Sequence, residues 1–324
     1  MTYNLDNLDK KILAELDINS RQPVTILSKK LHRNRNVIEY RIKKLQEEGI
    51  IKNFVTLLDS GRLGLTIWNI YLELENTNKT IEEKIIQYLN KNKKVWWVAQ
   101  TASKWNFIYS VFVKNTRELY EIINKFNLEF GRYILNQSLV AHVEAEIFSR
   151  SYLLNQPSTA IAWAKDSKSE EIDELDKSIL KELATNARMS SVDLAEKIGS
   201  TERVVIYRIK DLIKRKIITR FRLQLDTSKY GFHFYKVIVN LKNFEKDQDG
   251  KLKEYCRNLG NIFHYVNKIG SWMLELEMDC ESYEKANELM KKMKEEFPNY
   301  IKSYEVILIT KEPKGELDLT QQLD

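Results

Sequence analysis

Residues 37–51 read VIEYRIKKLQEEGII and residues 204–218 read VVIYRIKDLIKRKII. In each, apolar side chains recur at helical spacing and a glycine or lysine is followed by a pair of isoleucines, so a helix of three to four turns should run into an extended stretch. The two segments stand 167 residues apart. At that offset Leu8-Asp9-Lys10 meets Leu175-Asp176-Lys177, Asn19 and Arg21 meet Asn186 and Arg188, and 24 of the 61 positions from Leu5 to Leu65 are identical. Further on, Gly64 meets Gly231, Trp105 meets Trp272, Phe130 meets Phe297 and Tyr133 meets Tyr300. A period this long is a duplicated multi-element unit, not a solenoid repeat.

Each copy opens with the same three helical patterns. Leu8, Ile12, Leu13 and Leu16 mark the first, matched by Leu175, Ile179, Leu180 and Leu183; Leu27 and Leu31 mark the second, matched by Leu194, Ala195 and Ile198. On the third, Val37, Ile38, Arg41, Ile42 and Leu45 are expected to face inward, with Val204, Arg208, Ile209 and Leu212 as their counterparts. Three helices followed by an extended segment make a winged helix-turn-helix pattern. Helical geometry then leaves Arg35, Asn36, Glu39, Tyr40 and Lys43 outward in copy one, and Arg203, Ile206, Tyr207 and Lys210 in copy two. These are the candidate base-reading residues, because a helix enters the major groove with its early residues against the base edges. Lys29, Lys30 and Lys52, with Lys214, Arg215 and Arg220, are the candidate phosphate contacts. The faces differ, Asn36 opposing Arg203 and Glu39 opposing Ile206, so an imperfectly palindromic operator is expected.

Charge supports this placement. The 324 residues carry a net +6, whereas residues 1–52 hold 11 basic against 7 acidic residues and residues 172–222 hold 12 against 8. Each window is therefore +4, and the remainder is slightly acidic. Composition (43% apolar, 10% aromatic, 30% charged) is that of a folded chain. The two cysteines, Cys256 and Cys280, suggest a reducing compartment, and the absence of any long apolar run argues for a cytoplasmic protein with no membrane partner.

After each head, strand and helix patterns follow in the order β-α-β-β-α-β: 66–74, 81–89, 95–101, 105–113, 116–130 and 132–148 in copy one, then 234–241, 251–259, 262–268, 272–278, 283–297 and 301–310 in copy two. The expected domains are 1–60, 64–150, a linker at 151–171, 172–227, 231–312 and a polar tail at 313–324. Within the linker, Ala160 to Ala164 with Trp163 reads equally as a packed piece or a surface segment.

Leu8-Asp9, Ile12-Leu13, Asn19-Ser20-Arg21, Arg41-Ile42, Leu45, Gly49-Ile50-Ile51 and Gly64 resemble the head of the Lrp/AsnC (feast/famine) regulators, and the second copy carries the same pattern. The resemblance implies an α+β fold: two tandem copies of a winged helix-turn-helix domain plus a βαββαβ ferredoxin-like, RAM-type domain. It implies double-stranded DNA as partner, a single chain standing for a family dimer through packing of its two sheets, a small-molecule effector, and further homo-oligomerisation. One departure is Arg33, which stands where copy two has the potential cap Ser200. A second is the effector loop, Gly-x-x-Asp in the family, where this chain offers Ser103 and Asn106, then Gly270 and Met273, none carrying a carboxylate.

No catalytic constellation is visible. His32, His142, His233 and His264 are scattered without metal-ligand spacing, and neither a cofactor nor a metal is expected. The alternative is an enzyme of the same architecture, since sirohaem decarboxylases resemble this family and also occur as paired halves. Their tetrapyrrole chemistry would draw on His264-Tyr265, where copy one has Trp97-Val98; the Asn-Ser-Arg segment and the basic third helices favour DNA instead.

Overall fold

The computed structural model describes residues 2–155, 158–163, 168–243 and 247–315, with the backbone alone at Thr185. The first head comprises α1 (Asn7–Ile18), α2 (Val24–Leu31), α3 (Arg35–Glu47) and β1 (Ile51–Leu58); the second comprises α6 (Glu174–Thr185), α7 (Ser191–Lys197), α8 (Glu202–Lys214) and β7 (Ile218–Leu225). Helix α1 starts at a capping box, Asp6 accepting from the Asp9 amide and Asp9 from that of Asp6. The cap of α3 is Asn34, accepting from the Asn36 amide, and that of α8 is Thr201, so the Arg33 departure leaves the helix start intact. Ile38, Ile42 and Leu45 form the buried stripe of α3. Val37, expected inward, is 40% exposed, and Val204 is 38% exposed, because the i, i+4, i+7 row alone reaches the core.

The heads are not separate modules. Strands β1 and β7 pair with each other as an antiparallel ribbon, Thr56 opposite Phe221. The Ser20 amide donates to the Phe221 carbonyl and the Ala187 amide to that of Phe54, both at 2.9 Å, positions related by the 167-residue offset. Arg21 donates to the carbonyls of Ala187 and Met189 at 2.6 and 2.7 Å, and Arg188 donates to those of Ser20 and Gln22 at 2.5 and 3.3 Å. Each guanidinium also lies over a phenylalanine of the opposite head, Arg21 over Phe221 and Arg188 over Phe54. The arginines of the Asn-Ser-Arg segment and of its counterpart Asn186-Ala187-Arg188 thus clamp head to head.

Copy one continues through β2 (Thr66–Leu74), α4 (Lys79–Lys91), β3 (Val95–Thr101), β4 (Phe107–Val113), α5 (Thr116–Phe130) and β5 (Ile134–Phe148). Copy two repeats the order through β8 (His233–Leu241), α9 (Gln248–Leu259), β9 (Ile262–Gly270), β10 (Leu274–Cys280), α10 (Tyr283–Glu296) and β11 (Ile301–Gly315). The two sheets do more than pack. Strand β3 pairs with β11 and β5 with β9, so the strands run β2-β4-β3-β11-β8-β10-β9-β5 and return to β2. This is a closed antiparallel barrel of eight strands with helices outside, a closure that removes the sheet edges.

Closure makes both faces of strands such as β4 and β10 interior. In β4, Phe107, Tyr109, Val111 and Val113 pack towards the helices while Ile108 packs inside the barrel, and all seven residues are buried. In β10, Leu274, Leu276, Met278 and Cys280 face the helices and Glu275, Glu277 and Asp279 point into the barrel. One seam needs a specific glycine. Gly270 has φ +137°, and a Cβ there would sit 2.3 Å from the Leu139 carbonyl oxygen on β5.

The expected linker contains structure. Strand β6 (Ala160–Trp163) pairs with β5, and Trp163 is 3% exposed, its indole donating to the Leu58 carbonyl at 2.8 Å. The packed reading of that piece is therefore the one observed. Residues 156, 157 and 164–167 lie outside the described residues, as do 316–324 of the expected tail, whose residues 313–315 belong to β11.

Candidate nucleic-acid interface and barrel cavity

On α3, Arg35, Asn36, Tyr40 and Lys43 are exposed, Tyr40 at 63%. Glu39 is half-buried and pairs with Arg35 at 2.8 Å, while Lys43 lies 3.7 Å from Glu47. On α8, Arg203, Ile206, Tyr207 and Lys210 are exposed, Tyr207 at 67%. Arg41 and Arg208 lie on the inner side, where Arg41 reaches Asp6 and Asp9 and Arg208 reaches Asp173 and Asp176, locking each third helix onto its first. Each third helix thus presents an aromatic ring and two exposed cations to solvent, those of α3 paired with glutamates of their own helix.

The phosphate candidates divide. Lys29 and Lys214 are exposed, and Lys30 is exposed but pairs with Glu15. Arg215 is half-buried and held by Glu170, Asp211 and Asp176, and Lys52 stands beside Asp226 at the mouth of the cavity described below. Arg220 is 7% exposed with its guanidinium donating to Thr159, so no duplex reaches it. Arg215 and Arg220 are therefore corrected as phosphate contacts, since carboxylates or burial already engage them, whereas Lys52 is exposed.

The loop residues expected to meet an effector are engaged by the chain itself. The Ser103 hydroxyl bonds the Thr101 hydroxyl and accepts from the Trp105 amide, and the Asn106 side chain accepts from the Leu74 amide at 2.6 Å. Gly270 answers to the β5 backbone, and Met273 is 45% exposed. Between these loops Trp105 and Trp272 meet Tyr71 edge-on at 5.7 and 4.6 Å, plugging that end of the barrel as packing residues.

The opposite end is open. A cavity of about 730 Å³ lies between the barrel mouth and the β1–β7 ribbon, with Val55, Arg222 and Gln224 from the ribbon and His142, Lys236, His264 and Glu277 from the barrel. A chain of buried polar contacts threads it. Ser110 and His142 both bond the Asn69 side-chain oxygen, at 2.9 and 3.1 Å, and Asn69 donates to Glu275. Lys236 bridges Glu275 and Glu277 at 3.2 and 2.6 Å, and Glu277 holds His264 at 2.6 Å. Arg222 reaches His264 and pairs with Asp17, which also holds Arg150; Arg150 in turn pairs with Asp279 at 2.8 Å.

Burial sets the protonation of this chain. It drives His142 well below the usual imidazole range, aided by Lys268 and Lys236, so that ring is neutral. Lys268 is pushed down to about 8 by burial, against the pull of Glu275. Asp17 resists its own burial because Arg222 and Arg150 flank it, and is lowered to about 2.

Of the expected enzyme pair, His264 faces the cavity, whereas Tyr265 points to the helix side and donates to Asp249 at 2.7 Å. Sequence reasoning missed Asp17, Arg150, Arg222, Lys236, Glu275, Glu277 and Asp279. A signal was present: at the 167-residue offset Glu275, Glu277 and Asp279 stand opposite Ile108, Ser110 and Phe112, which a solvent face would not carry.

Residues 172–213 match the AsnC-type helix-turn-helix domain, and residues 5–52 match the winged helix-turn-helix DNA-binding family. An uncharacterised HTH-type transcriptional regulator of Pyrococcus abyssi is 32% identical over 124 residues, 38% of this chain and 83% of that protein. The chain belongs to the Lrp/AsnC family. The HTH-type regulator FL11 of Pyrococcus horikoshii is 29% identical over 119 residues, 37% of this Lrp/AsnC chain and 78% of that protein. Along its whole length the Lrp/AsnC chain also shares its fold with the siroheme decarboxylase NirDL, at 15% identity and a TM-score of 0.64, covering 95% of this chain and 92% of that one. A second NirDL structure, a co-complex with an iron-uroporphyrin III analogue, gives 14% identity and a TM-score of 0.63 over 98% and 97% of the two chains. No described helix is long and apolar enough to cross a membrane.

Proposed function

We propose that this regulator binds duplex DNA as a dimer written in one chain, through the outward faces of α3 and α8. The observation that carries this reading is the pair of exposed third helices on heads fused by one ribbon, which fixes their separation. Arg35, Asn36, Tyr40 and Lys43 read one half-site; Arg203, Ile206, Tyr207 and Lys210 read the other; Lys29, Lys30 and Lys214 approach phosphates. Because the two faces differ, the half-sites differ in sequence. The test is selection of bound fragments from genomic DNA followed by salt-dependent titration. Arg35→Ala with Lys43→Ala, or Arg203→Ala with Lys210→Ala, should each reduce the slope of log affinity against log salt by up to about 2. A slope unchanged in both doubles would sink the assignment.

A second reading is favoured by the cavity, which places His142 and His264 within a fold shared with a siroheme decarboxylase. In that reading the barrel would take a tetrapyrrole and the heads would serve assembly. Its test is mass loss of an added iron-uroporphyrin together with no affinity for genomic DNA.

A further inference from the structure

The charges buried around the cavity do not cancel. Five cations, Arg150, Arg220, Arg222, Lys236 and Lys268, lie in one connected cluster behind and along its wall. Among the described residues the carboxylates buried with them are four: Asp17, Glu275, Glu277 and Asp279. Lys52 and Lys311 balance Asp226 and Glu312, the latter accepting from the Trp97 indole, so among the described residues one positive charge is left over. An uncompensated buried cation is costly unless something neutralises it. Arg220 shows the deficit: its Nε and Nη1 are buried with no hydrogen-bond partner among the described residues.

Aromatic rings also line the cavity, beside aliphatic residues such as Val55, Leu223 and Val266. Trp97, Trp163, Phe234 and Phe263 line it, with Trp163 stacked on His264 at 6.2 Å and Phe234 beside Phe263 at 5.7 Å. Rings with a cationic floor match a ring with an acid group. Occupancy is also tied to the heads, because Val55, Arg222 and Gln224 of the wall belong to the ribbon joining them.

We propose that this cavity binds a planar aromatic monocarboxylate and that its occupancy is transmitted through the β1–β7 ribbon to the two third helices. The regulatory half rests on the DNA-binding reading above; the binding half does not. One excess positive charge calls for one carboxylate, which separates this ligand class from a polycarboxylate macrocycle. The site lies at the opposite end of the barrel from Ser103, Asn106, Gly270 and Met273.

The experiment is calorimetric titration of the whole chain, without DNA, using 1-naphthoate and the isosteric neutral 1-naphthamide, with amide exchange followed in β1 and β7. Naphthoate should bind, naphthamide should bind at least about tenfold more weakly, and naphthoate should slow exchange in the ribbon. Val55→Trp, or Val266→Phe should the first fail to fold, should abolish binding by filling the space. Equal binding of acid and amide, binding undiminished in a folded filled variant, or ribbon exchange indifferent to naphthoate would overturn the proposal. Tight stoichiometric binding of iron-uroporphyrin with none of naphthoate would overturn it in favour of the second reading. Failure to find any bound DNA would remove the regulator and leave the ligand site standing.

Discussion

Asp17 lies in the last turn of α1 and is fully enclosed, yet it holds two guanidiniums, Arg150 at 3.1 Å and Arg222 at 2.9 Å. Replacing it by asparagine keeps the shape, strands buried Arg222 and leaves Arg150 with Asp279 alone, so Asp17→Asn should cost about 3–5 kcal/mol in chemical denaturation. The same residue gives a pH signature. Its pKa falls on folding from 3.8 to about 2. Its contribution is therefore fully present above the unfolded value and fades as pH drops from about 4 towards 2, a loss on the order of 2 kcal/mol that Asp17→Asn should lack. Lys268 runs the other way. Its folded pKa of about 8 lies below the ordinary 10.5, so the unfolded chain holds that proton over the interval and stability should rise from pH 8 to 10. The rise should flatten in Lys268→Met. None of these residues stood out in the sequence, because an acidic residue at a helix end and lysines on alternating strands ordinarily face water.

At the scale of elements, the seam between β5 and β9 depends on Gly270. A methyl group there meets a backbone carbonyl, and φ +137° disfavours any L side chain. Gly270→Ala should cost about 1–3 kcal/mol and raise amide exchange in β5 and β9 ahead of β2 and β4. Element order was legible: β2, β3 and α5 fall on the residues that alternation and helical periodicity marked, since both copies repeat the same signals. What escaped was partnership. Alternation in β10 shows that two faces differ and is silent on whether the charged one meets solvent or the inside of a barrel. Strand β6 escaped for a related reason, being four residues long and owing its place to β5 and Trp163.

At the scale of the molecule, the halves should associate without their covalent link. The ribbon, the reciprocal arginine clamps and two barrel seams all join copy one to copy two. Fragments 1–155 and 158–324 expressed together should co-purify in equal amounts, whereas each alone leaves unpaired strand edges and should aggregate or self-associate. Recovery of two independent soluble monomers would contradict the closed barrel. The sheet interface was foreseen as packing; the closure was not, since edge-to-edge pairing of β3 with β11 leaves no mark in composition.

Fusion also frees the interior from self-copying. In a dimer of identical subunits every group lining the shared chamber appears twice, so an arginine placed where Arg222 stands would return across the axis where Val55 now stands. Here the two related positions carry different chemistry, valine against arginine and tryptophan against histidine at 97 and 264. The chamber can therefore hold a lopsided guest in one orientation, and the partnership that forms it does not dissolve on dilution when copies per cell are few.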